Sequence, residues 1–183
     1  GLQHRHAELE NLGELWDDTL FMTVLFLAKA AVLFDNATYR DEAVYQVLLH
    51  LHYLCDTHTG LFYHAWSYER NDNFAEALWG RGNAWITMFI PEFLEILDCD
   101  EPLVKFLTNT LVRQLESLVS YQDESGLWHP LIDDPSSYLE ASGSAGFCYG
   151  FYKAIGQGLL SQEYLPVAQK ALAAIIARVD EEG

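Results

Sequence analysis

An internal repeat constrains this chain more than any other feature. The stretch Asp56-Thr57-His58-Thr59-Gly60-Leu61-Phe62-Tyr63-His64 returns in shortened form as Asp123-Glu124-Ser125-Gly126-Leu127-Trp128-His129, about 66 residues later. Each is a turn built on a glycine and followed by aromatics. Self-similarity at a fixed spacing marks supersecondary units that bury their apolar faces against one another. Each turn follows a helical stretch of mixed polarity and precedes one that is apolar almost all round. The apolar stretches run over about 17–34, 80–97 and 139–156, and the amphipathic ones over about 40–55, 101–121 and 162–179. Spacings of three and four carry the second set: Ala43, Val47 and Leu51, then Leu111, Leu115, Leu118 and Val119, then Leu165, Ala168, Leu172 and Ile175. Helices that are apolar all round must be buried, whereas one-sided helices must cover something. An all-α arrangement follows, with an inner layer wrapped by an outer one. Three such hairpins leave open edges, so units before or after residues 1–183 are expected to complete a ring. Pro91 lies inside the second apolar stretch and should kink or end it near Phe89.

The order of elements also says where chemistry can sit. Every glycine-aromatic turn feeds the amino end of an inner helix, so these ends gather on one rim, where backbone donors and positive helix ends favour anions. Asp17, Asp18, His64, Arg81, His129 and Glu140 fall on or near it. A formal net charge of −17 argues against nucleic-acid and anionic-membrane partners. It does not exclude an acidic sugar, because one Arg in a cleft can hold a carboxylate through two charge-assisted hydrogen bonds. Cys55, Cys99 and Cys148 are too widely spaced for a disulfide framework or a metal site. The apolar run Met22 to Phe34 is too short to span a membrane and contains Lys29.

Three segments and the histidines could carry chemistry. In Leu15-Trp16-Asp17-Asp18-Thr19-Leu20-Phe21-Met22, two carboxylates open a helix otherwise nearly free of polar groups. Adjacent helical residues point about 100° apart, so both cannot face the axis. Either the pair caps the helix, or Asp18 is a general acid beside Trp16 with Met22 one turn below. In Trp79-Gly80-Arg81-Gly82-Asn83-Ala84-Trp85, glycines allow close backbone approach and aromatic faces suit sugar rings. Arg81 either waits for a substrate carboxylate or bridges a protein carboxylate such as Asp72 or Glu76. Among the histidines, His64 stands out between Tyr63 and Trp66, while His50 and His52 point to different helix faces and so share no metal. In Tyr138-Leu139-Glu140-Ala141-Ser142-Gly143-Ser144-Ala145, small residues leave room near the axis, and Glu140 either holds a rim residue or lines the cleft.

The three quoted segments, Leu15 to Met22, Trp79 to Trp85 and Tyr138 to Ala145, together with Gly60-Leu61-Phe62-Tyr63-His64-Ala65-Trp66 make four in order that resemble the unsaturated rhamnogalacturonyl hydrolases of glycoside hydrolase family 105, with the unsaturated glucuronyl hydrolases of family 88 as more distant relatives. The resemblance implies an (α/α)6 barrel, of which residues 1–183 would form about three of six hairpins as one toroid domain. Hairpins before Gly1 would carry a second active-site Asp, and a last hairpin would follow Gly183. It implies removal of a 4,5-unsaturated uronic acid from pectin-derived oligosaccharides by hydration of the double bond, with no metal and no organic cofactor. By position, Asp18 matches the family's acid/base Asp, and Trp16, Met22, His64, Trp79, Arg81 and Trp85 match the lining of its pocket. Asp17 becomes the lesser neighbour, and His4 or His6 corresponds to a pocket His. The expected partner is a small acidic oligosaccharide, with a homo-oligomer or a completing chain as a further expectation, and the expected compartment is cytoplasmic, with secretion as the alternative. A catalytically inactive hairpin module that binds sugar or oligomerises is the rival reading.

Overall fold

The computed structural model of the chain describes residues 13–74 and 76–180. His4 and His6 lie outside the described residues. Among the described residues six α-helices form three hairpins in the expected order: α1 (Leu25–Leu33) with α2 (Ala37–Leu54), α3 (Gly80–Ile96) with α4 (Glu101–Ser120), and α5 (Ala141–Gly156) with α6 (Leu165–Ile176). Helices α1, α3 and α5 pack side by side as an inner layer, and each outer helix covers its own hairpin. Local chemistry fixes the outer helix starts. Asn36 and Asp100 cap α2 and α4 by accepting from Tyr39 N at 3.1 Å and Leu103 N at 3.3 Å, and Pro102 and Pro166 occupy first-turn positions where no amide donor is needed.

The two repeated turns share one construction. Asp56 accepts from His58 N and Asp123 from Ser125 N, and the glycines that follow, Gly60 and Gly126, take φ of 82° and 95°. Only glycine adopts that left-handed backbone without strain. Each turn then docks on the fourth residue of the next inner helix. Asn83 exchanges two hydrogen bonds with the Phe62 backbone, and Ser144 Oγ accepts from Trp128 N at 2.9 Å. Gln114 of α4 reaches Asn83 O and accepts from Thr87 Oγ1, so the outer layer is tied to the inner one by buried, satisfied polar groups.

Three features sharpen or correct the expectations. Of the two outcomes expected at Pro91, α3 does not end but runs on through it to Ile96. The Thr87 carbonyl, which loses its helical partner to Pro91, lies against Gly150 of α5, where an added Cβ would stand 3.0 Å from it. The first apolar stretch is helical but not regular. It follows strand β1 (Glu14–Trp16), which pairs antiparallel with β2 (Ala65–Ser67), and passes through a five-residue π segment, Leu20–Val24, before α1. Nor is it buried all round: Met22, Phe26, Leu33 and Phe34 are exposed on its outer side, as an open hairpin edge requires.

Candidate active site

Of the residues expected on the rim, Asp17 and Asp18 gather around His64 with Trp16 and Trp79, and Arg81 and Glu140 follow at one remove. The β1–β2 ladder places Trp16 opposite Ala65, and one step further Asp17 N donates to His64 O at 3.1 Å. The backbone thus pins the two side chains together, and His64 Nδ1 lies 2.7 Å from Asp17 Oδ1. The imidazole is held edge-on between Trp16, with ring centroids 4.9 Å apart, and Trp79, at 4.4 Å. Trp79 carries the Arg81 guanidinium over its ring at 4.4 Å, and Arg81 in turn pairs with Glu140 at 3.1 Å. Trp16, His64, Trp79 and Arg81 therefore form one continuous chain of contacts. One carboxylate oxygen of Asp18, one of Asp17 and a ring nitrogen of His64 lie within 4.8 Å of one another. Since His64 Nδ1 and Asp17 Oδ1 already bond to each other, this trio reads as an acid–base cluster rather than an open coordination site.

The two aspartates have different surroundings. Asp18 is half-buried, and its carboxylate has no hydrogen-bond partner among the described residues. Asp17 is fully buried, and its Oδ2 has no hydrogen-bond partner among the described residues either. Burial pushes the Asp17 carboxyl up from 3.8 to about 6, with His64 pulling the other way. Oδ2 presses on Gly82 in the first turn of α3, where any Cβ would collide with it. Neither aspartate caps the following helix through its side chain: the residue at the cap of the π-turn is Thr19, with no side-chain bond.

Further along the axis, Trp85 packs at 5.1 Å on Phe21 and lines a small pocket with Arg81, Ala84, Met88, Ser142 and Gly143. Met22, 59% exposed, lines an adjoining groove of about 510 Å³ with Phe21, Phe26, Lys29, Met88, Glu92 and Tyr149. Arg81 is not the buried bridge to Asp72 or Glu76 that was the alternative. Asp72 pairs with Arg70, and the Arg81 side chain is 42% exposed with Glu140 as partner. Glu140 holds that rim Arg and also caps α5 by accepting from Gly143 N. His129, the repeat counterpart of His64, spends Nδ1 on the Ser137 carbonyl at 2.7 Å and joins no charged cluster. His50 is buried and His52 exposed, so they share no site. Sequence reasoning placed Asp17 on the rim but ranked it below Asp18, because it set both aspartates on one regular helix and could not see the contact of Asp17 with His64. It missed Phe21 and Met88, which sit at ordinary core spacings.

The profile described as Glycosyl Hydrolase Family 88 matches residues 1–183. The chain belongs to glycosyl hydrolase family 88. Among curated relatives of this family-88 chain, the unsaturated rhamnogalacturonyl hydrolase YesR of Bacillus subtilis is 36% identical over 184 residues, which cover 100% of this chain and 52% of that protein. A crystal structure from Klebsiella pneumoniae, described as a possible member of the GH105 family, superposes with a TM-score of 0.97 at 48% identity, over 100% of this chain and 49% of that one. The unsaturated glucuronyl hydrolase of Bacillus sp. GL1 superposes with a TM-score of 0.75 at 20% identity, over 99% and 50%, and supports the fold alone. The family-88 chain thus spans about half the length of these relatives. Its three hairpins are part of the (α/α)6 toroid. No helix among the described residues is long and apolar enough to cross a membrane.

Proposed function

We propose that this chain carries part of a glycosidase site that removes a 4,5-unsaturated uronic acid from pectin-derived oligosaccharides by hydrating its double bond, with Asp18 as general acid and base. The observation that carries the reading is Asp18 with a free carboxylate beside His64, on a rim that also holds Arg81, Trp79 and Trp85. Asp18 donates a proton to C4 of the vinyl ether, and positive charge develops at C5, stabilised by the ring oxygen. Water adds at C5 while Asp18 takes up its proton, so the acid is regenerated. The resulting hemiketal opens and C1 releases the attached sugar. Arg81 has guanidinium nitrogens beyond the one on Glu140 to offer the uronate carboxylate, and His64 and Trp16, Trp79, Trp85 and Met22 supply a polar edge and ring-stacking faces. The substrate on this reading is a small acidic oligosaccharide. Similarity to YesR, an unsaturated rhamnogalacturonyl hydrolase by name, supports a rhamnogalacturonan-derived disaccharide. Three free cysteines suit a cytoplasmic compartment.

The exposed apolar side chains at the outer side of the first hairpin, Phe26, Leu33, Tyr45 and Leu48, favour association with further hairpins, of this protein or of a second copy. The test follows the ultraviolet absorbance of the unsaturated uronate in rhamnogalacturonan disaccharide, with the parent chain and with Asp18→Asn. Loss of the signal with the parent and a fall of 10²-fold or more in the variant is expected. Equal rates in both overturn the role of Asp18, and no loss in either, with a helical circular-dichroism spectrum, overturns activity in this chain.

A further inference from the structure

The Asp17–His64 pair is more elaborate than a fold contact needs to be. The carboxylate is fully buried, one oxygen is on the imidazole at 2.7 Å, and the other has no hydrogen-bond partner among the described residues. Folding alone does not favour this, since an unsatisfied buried acceptor costs about 1–3 kcal/mol and a buried charge more. Three separate arrangements nevertheless preserve it. The strand ladder extends by one backbone bond to join residues 17 and 64, Gly82 leaves the room Oδ2 occupies in the first turn of α3, and two tryptophans fix the plane of the ring. Groups held at such expense cluster at functional sites. The repeat supplies a control, because His129 is oriented by a plain backbone carbonyl.

We infer that Asp17 is a positioning residue: its carboxylate holds the Nδ1–H of His64, which leaves Nε2 as the ring nitrogen available to the bound sugar acid next to Asp18. A carboxylate can only accept from an imidazole, so it selects the Nδ1–H form whether the ring is neutral or charged. A neutral amide at position 17 can either accept or donate, so it selects neither. Asp17 touches no reacting atom and acts only through His64. The inference rests on the function proposed above in placing substrate at Nε2, but the state of the ring can be read without substrate.

Two measurements test it. The first records ¹⁵N shifts of the His64 ring, assigned by loss of the signals in His64→Gln, in the parent, Asp17→Asn and Asp17→Glu. The parent should show Nδ1 protonated throughout, and Asp17→Asn a mixture of ring forms. A parent ring carrying its proton on Nε2 alone overturns the inference, as does an Asp17→Asn ring identical to the parent's. The second is a double-mutant cycle on kcat/KM with Asp17→Asn and His64→Gln. A loss of 10- to 100-fold from Asp17→Asn that disappears in the His64→Gln background is expected, with partial recovery in Asp17→Glu. Additive losses overturn the inference. If no variant and no parent turns over substrate, the function proposed above fails while the ring measurement still decides the role of Asp17.

Discussion

The turns that lead into α3 and α5 have the same ancestry in the repeat and different occupants. Both begin with an Asp that binds the backbone two residues on, pass through a left-handed glycine, and dock on the fourth residue of the next helix. At α5 the helix is capped by its own Glu140, and the nearby histidine rests on a carbonyl. At α3 the cap residue Trp79 offers no side-chain bond, and the histidine rests on a buried carboxylate delivered by the preceding hairpin. The shared construction is what folding requires of each unit. The asymmetry is what folding does not require, and the acid–base cluster lies where it occurs.

The largest expected break in this comparison comes from filling the space beside Asp17. Gly82→Ala forces its methyl into Asp17 Oδ2 within the first turn of α3, where backbone and strand ladder hold both partners. It should cost on the order of 3 kcal/mol in urea unfolding, typical of overpacked sites that cannot relax. The matching change at α5, Gly143→Ala, meets Glu140 Oε2 at 2.9 Å, the end of a side chain that can swing. About 1 kcal/mol is expected there. Equal costs would show that the α3 turn is no more tightly specified than its repeat.

Almost the same effect should appear as a pH dependence. Asp17, raised from 3.8 to about 6, binds its proton more tightly folded than unfolded, so its contribution to stability falls as pH rises from about 4 to 6 and stays low above. A little over two units corresponds to about 3 kcal/mol. Burial lowers His50 from 6.5 to about 4, so its folded form disfavours the proton and its contribution rises over nearly the same window. The two nearly cancel in the parent. Asp17→Asn removes the falling limb, so urea unfolding should show the variant gaining about 3 kcal/mol relative to the parent between pH 4 and 7. A constant difference across that range would mean that Asp17 is not held away from its ordinary state.

Much of this molecule was legible from residue order because hydrophobic period and turn chemistry are local signals. The three hairpins, their layers and the rim follow from the repeat, and Asp18, His64, Trp79 and Arg81 fall on that rim in the structure. Which of its two outcomes Pro91 takes was not legible, because the Thr87 carbonyl it leaves without a helical donor packs on a glycine 59 positions beyond Pro91, in a neighbouring helix. The Asp17–His64 pair was hidden for the same reason. It depends on a three-residue strand ladder between residues 47 positions apart, too short to leave an alternating pattern. Gly82 was read as permitting close backbone approach, and the structure shows the Asp17 carboxylate occupying the space beside it, a neighbour the sequence could not identify.

The smallest expected contrast tests the docking residues themselves. Asn83 satisfies both the N–H and the carbonyl of Phe62 and also donates to Trp79 O, whereas Ser144 satisfies one backbone N–H, of Trp128, and donates to Glu140 O. Truncation leaves buried backbone groups without partners, and each such group costs about 1–3 kcal/mol. Asn83→Ala orphans two of them in the turn and Ser144→Ala one, so the first should destabilise by about 1.5 kcal/mol more than the second in urea unfolding. Since Asn83 anchors the segment that carries His64, Asn83→Ala should also disturb the ¹⁵N shifts of that ring, and Ser144→Ala should leave them unchanged. A shift in both would mean that the two turns communicate through the α3–α5 contact, and the functional difference between them would then belong to the pair of helices rather than to the α3 turn alone.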